Sequence, residues 1–247
     1  AKQLREDFLT QSFPVEEQKK FMEGLLEYLH FDSSWGYQNE SEHPFTSWTC
    51  ENDCRTTTKY LENNVISAIL STVHEVGHAY YEHNINPKYD GMILSEGVSS
   101  GMHESQSRLC ENYLGRTLAF WKYHYPRLQK HFPKQLGEVS LEEFYQAVNR
   151  SKPSFIRTEA DELTYPLHVL IRYEIEKGLF NGRISTEGLD KTWNAKYKEY
   201  LGVDVPNDKV GILQDVHWSD GSFGYFPTYA LGTAFAAQFM HAMRKDL

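Results

Sequence analysis

Residues 74–78 read His-Glu-Val-Gly-His inside an apolar-periodic run from Val65 to Tyr81, and this constrains the fold more than any other feature of the chain. Two histidines four residues apart face the same way on an α-helix, where one turn separates them. The run is therefore predicted to be a helix that presents His74 and His78 to a single point. There the two imidazoles can share a tetrahedral Zn²⁺, and Glu75 stands beside the ion, able to deprotonate its water. A buried helix carrying two ordinary histidines is the plain alternative.

A hydrolytic zinc site needs a third protein ligand and an open fourth position. The metzincin continuation would require Gly at 81 and His at 84, but the chain has Tyr81 and Asn84, with His83 one place out of register. That subclass is excluded. The glutamate subclass takes a carboxylate from a later helix, and Gly101-Met102-His103-Glu104-Ser105-Gln106-Ser107 supplies Glu104, 26 residues beyond His78. Glu104 is the expected third ligand. Its rival Glu96 reads as a helix-start residue or an outer-sphere partner, and an exposed surface glutamate is the bland reading of Glu104.

His103-Glu104-Ser105-Gln106-Ser107 following His-Glu-x-x-His resembles the Taq metallocarboxypeptidase family of zinc-dependent exopeptidases. Three further segments match that family in order: Asp53-Cys54-Arg55-Thr56-Thr57, Ile156-Arg157-Thr158-Glu159-Ala160-Asp161, and Gly211-Ile212-Leu213-Gln214-Asp215-Val216-His217-Trp218. His43-Pro44-Phe45 resembles a segment the family places near its cleft. The resemblance implies a mainly α, gluzincin-type metallopeptidase with a small antiparallel β-sheet at the cleft edge. Family members are considerably longer, so residues 1–247 read as one catalytic domain, incomplete at both ends.

Composition agrees without identifying anything. At 40% hydrophobic and 24% charged residues, the chain is ordinary for a globular protein with one large core. The net charge of −9 argues against nucleic acid or an anionic membrane as the main partner, since no basic stripe is present to meet either. No apolar stretch approaches bilayer-spanning length. Three cysteines, Cys50, Cys54 and Cys110, form neither a disulfide framework nor a four-sulfur zinc site, which points to plain thiols in a reducing cytoplasm.

The periodicity predicts helices at 15–29, 61–84, 95–122, 141–150, 158–180, 186–201 and 228–245, with Pro126 and Pro153 among the breaks and strands between Trp35 and Thr58.

Peptide hydrolysis on such a site would use Glu75 as general base and then general acid, with the metal acidifying water and polarising the carbonyl. A donor must then meet the developing oxyanion. The Gly-broken segment 214–229 offers His217 followed by Tyr225 and Tyr229, and by analogy with related glutamate-zincins His217 and one tyrosine, Tyr229 in preference, are expected to act there. An exopeptidase must also hold a free carboxylate, for which a planar guanidinium is suited. Arg157 is the first candidate and Arg55 the second, with Gln214 as a further substrate contact; ion pairs to Asp161 and Asp53 are the structural alternative for the two arginines. The expected cofactor is Zn²⁺, with Co²⁺ or Mn²⁺ compatible with the same ligands, and the expected partners are peptides with a free C-terminus and, in a homodimer, a second copy of the chain. An oligoendopeptidase or dipeptidyl carboxypeptidase on a similar scaffold and an inactive metal-binding fragment are the competing readings.

Overall fold

The computed structural model describes residues 5–50 and 52–247. These residues divide into two compact units. One takes the described residues up to Asn149 together with Phe235–Leu247; the other is Arg150–Ala234.

The first unit begins with α1 (Val15–Tyr28), then β1 (Gly36–Glu40), β2 (Thr46–Cys50), β3 (Asp53–Thr58), α2 (Val65–His83) and α3 (Ser100–Cys110). A π-helical turn, Glu111–Gly115, continues α3, and α4 (Leu118–His131), the short α5 (Pro133–Leu136) and α6 (Leu141–Val148) follow. Phe21 and Leu25 of α1, Ile69 and Val73 of α2, Phe120, Trp121 and Leu128 of α4, and Phe144 of α6 belong to one buried cluster. Each fully buried Leu, Ile or Phe contributes roughly 1.5–3 kcal/mol, so this cluster is a main source of the unit's stability.

The sheet departs from the antiparallel expectation. Its order is β1-β3-β2, with β2 antiparallel and β1 parallel to the central β3. Although only five residues separate β1 from β2, β3 inserts between them. Its Cys54, Thr56 and Thr58 are buried, and Thr58 Oγ1 lies 2.8 Å from Ser71 Oγ of α2, so the sheet seats on α2 through its middle strand.

Two helix boundaries also moved. The helix expected over 95–122 is interrupted by the π turn and restarts at α4, where the Thr117 side chain accepts from Phe120 N. That helix runs through Pro126, which had read as a break. In the second unit, α7 (Tyr165–Phe180) starts at a proline-led turn rather than at 158, because Pro166 lacks the N–H an interior position needs. The unit continues with α8 (Leu189–Leu201), the short α9 (His217–Asp220) and the start of α10 (Pro227–Met243). Ile171 and Ile175 of α7 and Trp193, Tyr197 and Leu201 of α8 form its main core. Among the described residues no helix is long and apolar enough to cross a membrane.

Candidate metal and catalytic site

α2 is held at its start by Asn64, whose side chain accepts from Ser67 N, and α3 by Ser99, which accepts from Met102 N. One face of α2 buries Val65, Ala68, Ile69, Val73 and Val76. A helix has one apolar stripe to bury, so the polar residues 74 and 78 emerge together beside it, toward α3. The approach of the two helices is set by Gly77: a Cβ there would lie 2.7 Å from Ser107 Cα and 2.9 Å from Gln106 O. Only glycine lets the backbone of α3 come this near.

That approach brings Glu104 to the two histidines. Its Oε2 lies 3.6 Å from His74 Nε2 and 3.3 Å from His78 Nε2, and one donor atom from each of the three residues falls within 4.8 Å of the others. Ligands on ~2.0–2.2 Å bonds at tetrahedral angles stand about 3.3–3.6 Å apart, so the donor set fits one small divalent cation. Glu104, buried with 4% exposure, is not the surface glutamate of the bland reading. Ser107 Oγ donates to its carboxylate at 3.1 Å. The electrostatics point the same way. Burial works against a proton on His74, but the charge of Glu104 and the hydrogen bonds to Glu104 and Glu111 outweigh it, raising this imidazole well above its ordinary range. Glu104 pays the same burial cost, yet His74 and His78 hold it well below the usual carboxylate value. A field that favours a proton at this point favours a metal cation too.

Two supporting residues had no role in the sequence reading. Glu111 Oε2 lies 2.9 Å from His74 Nδ1, the ring nitrogen facing away from Glu104, and Arg108 Nη1 donates to the same oxygen at 2.7 Å. Glu111 stands seven residues beyond Glu104, so both carboxylates share one helical face, a periodicity that could have revealed it. On β2, Thr46 Oγ1 lies 2.6 Å from Glu75 Oε2 and 2.9 Å from Glu75 O, holding the buried carboxylate from the sheet side. No local signal in the sequence links Thr46 to Glu75. Glu96 ends a short 3₁₀ turn, Ile93–Ser95, and has no place in the cluster.

The second unit holds the remaining expected residues other than Arg55. His217 Nε2 and Tyr229 Oη lie 2.8 Å apart, while Tyr225 is 38% exposed and stacks obliquely at 5.6 Å from the His217 ring. Burial, then the charge of Arg157, depresses His217, which keeps it neutral near pH 7. Arg157 sits in a 3₁₀ turn, Arg157–Glu159, ahead of α7. Its Nε and Nη2 donate to Asp215 at 3.0 and 2.9 Å, and its Nη1 to Tyr165 Oη at 3.0 Å. The pairing partner is thus Asp215, not Asp161, whose carboxylate accepts from Ser151, Thr164 and nearby backbone N–H groups. Arg172, fully buried and overlooked in the sequence, takes the other oxygen of Asp215 at 2.6 Å. Gln214 Oε1 accepts from Arg157 N, and its Nε2 is turned to the carbonyls of Phe155, Val210 and Gly211. It staples two loops. In the first unit Arg55 forms an exposed two-pronged pair with Asp53, both bonds 2.8 Å, which is its structural alternative.

A model of the family described as "Carboxypeptidase Taq (M32) metallopeptidase" matches residues 1–247. Carboxypeptidase 1 of Bacillus subtilis (strain 168) is 50% identical over 240 residues, covering 97% of this chain and 48% of the relative. Thermostable carboxypeptidase 1 of Thermus thermophilus is 45% identical over 239 residues, covering 97% and 47%. The crystal structure of M32 carboxypeptidase from Deinococcus radiodurans R1 superposes with a TM-score of 0.90 at 42% identity, over 97% of this chain and 48% of that one. The chain spans about half the length of the curated relatives it matches.

Proposed function

Because the chain belongs to the carboxypeptidase Taq (M32) metallopeptidase family, we propose that it carries the metal-ligating and general-base residues of a metal-dependent carboxypeptidase that hydrolyses the C-terminal peptide bond of its substrates. The observation that supports this most is the convergence of His74, His78 and Glu104 beside Glu75. His74, His78 and Glu104 would hold a divalent cation, which would supply a Lewis acid for the scissile carbonyl and acidify the attacking water. Glu75 takes the proton of that water and delivers it to the leaving amine. Thr46 keeps the Glu75 carboxylate in one orientation, so that one oxygen stays directed for proton transfer. For the oxyanion the proposed donors are His217 and Tyr229, already hydrogen-bonded to each other, and for the substrate carboxylate the proposed anchor is Arg157, whose three bonds leave further N–H groups on its terminal nitrogens. Zinc is the proposed metal, since two imidazoles and a carboxylate with an open position match its catalytic preference. A cytoplasmic location is proposed from the free thiols of Cys50, Cys54 and Cys110.

Mass spectrometry on a peptide and its C-terminally amidated twin, each incubated with the zinc-loaded full-length enzyme, tests the reaction. Stepwise loss of single residues from the free peptide and none from the amidated one is expected. Rapid internal cleavage of the amidated peptide would replace the carboxypeptidase by an endopeptidase.

A further inference from the structure

The two metal-facing histidines are braced differently. His74 turns Nδ1 to a carboxylate, whereas His78 Nδ1 meets a second imidazole, with His103 Nδ1 2.7 Å away. The other nitrogen of His103, Nε2, lies 2.7 Å from Glu82 Oε1, and the Glu82 side chain is 10% exposed. His78 and Glu82 are one turn apart on α2, and His103 on α3 spans them.

We infer that His103 is a positioning residue for the metal: it fixes the tautomer and ring orientation of His78 and is itself fixed by Glu82. The inference rests on the reading of His78 as a metal ligand. A neutral imidazole that binds metal through Nε2 carries its proton on Nδ1. At 2.7 Å only one proton fits between the two Nδ1 atoms, so His78 donates and His103 Nδ1 must be bare. The proton of a neutral His103 then stands on Nε2, where a carboxylate oxygen waits to accept it. Each bond sets the direction of the next, from Glu82 through His103 to His78.

The surroundings hold the relay still. The Tyr81 ring meets His103 edge-on at 5.0 Å, and a Cβ at Gly97 would lie 2.8 Å from His103 Cδ2, so the backbone of the preceding loop lies directly against the ring. A merely space-filling His103 would need neither nitrogen aligned; here both are within 2.7 Å of a partner.

Zinc affinity of the metal-stripped full-length protein, measured by competition with a chromophoric chelator, tests the relay apart from activity. His103→Leu should weaken zinc binding by roughly 10–100-fold, the usual consequence of losing such a partner. His103→Asn, whose amide oxygen can stand where Nδ1 stood, should recover most of it, and the visible absorption of Co²⁺ in the site should shift in the Leu variant and return in the Asn variant. The melting temperature of the metal-free variants separates this from a folding defect. If His103→Leu does not fold, the Asn variant decides alone: zinc affinity near that of the unmodified protein is expected, and a loss beyond tenfold contradicts the relay. Zinc affinity of His103→Leu within twofold of the unmodified protein would overturn the inference alone. Failure of the unmodified protein to bind zinc, or equal binding by His78→Ala, would overturn the metal-site reading and the inference with it.

Discussion

Glu75 is the proposed general base, and its setting explains why a single-atom change should be decisive. Its carboxylate is buried, accepts from Thr46, and lies next to His74 in sequence. Glu75→Gln in the full-length enzyme keeps this shape and the three metal ligands but cannot accept a proton. The expected outcome is full metal content with nearly all turnover lost; kcat above about a tenth of the original, a cost of only ~1.4 kcal/mol, would remove Glu75 from the base role. At this scale the sequence was most legible where chemistry follows a fixed spacing: His74, His78 and Glu104 were all readable, and the structure brings them together. Arg157 and Gln214 show the opposite case. Their residue types are evident, but Asp215, which pairs with Arg157, and the Phe155 carbonyl, which meets Gln214, lie 58 and 59 residues away along the chain, and no local pattern records such pairing. Arg172 is hidden for the same reason, since an arginine in a helix that also carries Glu174, Glu176 and Lys177 looks like a solvated charge until the helix is packed.

Between elements, the decisive contact is the crossing of α2 and α3. Gly77 occupies one of the two variable positions in the five-residue motif, yet the crossing leaves no room there for any other residue. Gly77→Ala must push the α3 backbone away. It should lower stability by roughly 1–3 kcal/mol, as overpacking does, and weaken zinc binding by at least tenfold because Glu104 moves with α3. Urea titration together with a zinc-competition assay checks both; unchanged zinc affinity would show that the crossing does not set the ligand geometry. Helices were legible because their apolar periodicity is local. The sheet order was not, because strand neighbours are chosen by tertiary seating: β3 carries the buried threonines that meet α2 and so takes the centre, leaving β1 parallel to it. The break misread at Pro126 has a similar origin, in that Trp121, Tyr125 and Leu128, which flank it in α4, are fully or almost fully buried and hold that helix through the proline.

For the whole molecule, the pH response of folding follows from histidines kept neutral. His124 is fully buried, neither ring nitrogen has a hydrogen-bond partner among the described residues, and the rings of Tyr28 and Phe120 stand 4.5 and 4.3 Å away. Burial, aided by the charge of Arg127, pushes it down to about 4. In the unfolded chain it titrates near 6.5, so between these values the unfolded state takes up a proton that the folded state refuses. Stability is therefore complete above about pH 6.5 and falls as pH drops toward 4, by up to roughly 3 kcal/mol from this residue. His168 in the second unit, pushed down to about 3 by burial and by Arg172, adds to the same acid slope. Urea midpoints of His124→Phe between pH 4 and 7 should show a shallower slope than those of the unmodified protein; an identical slope would contradict a neutral buried His124.

The proposed chemistry depends on one cation held where α2 meets α3, and anomalous diffraction at the zinc edge from crystals of the zinc-loaded full-length protein tests for it directly. A single peak at ~2.0–2.2 Å from His74 Nε2, His78 Nε2 and a Glu104 carboxylate oxygen is the predicted result. A peak elsewhere, or a Glu104 carboxylate turned away from both imidazoles with zinc bound, would contradict it.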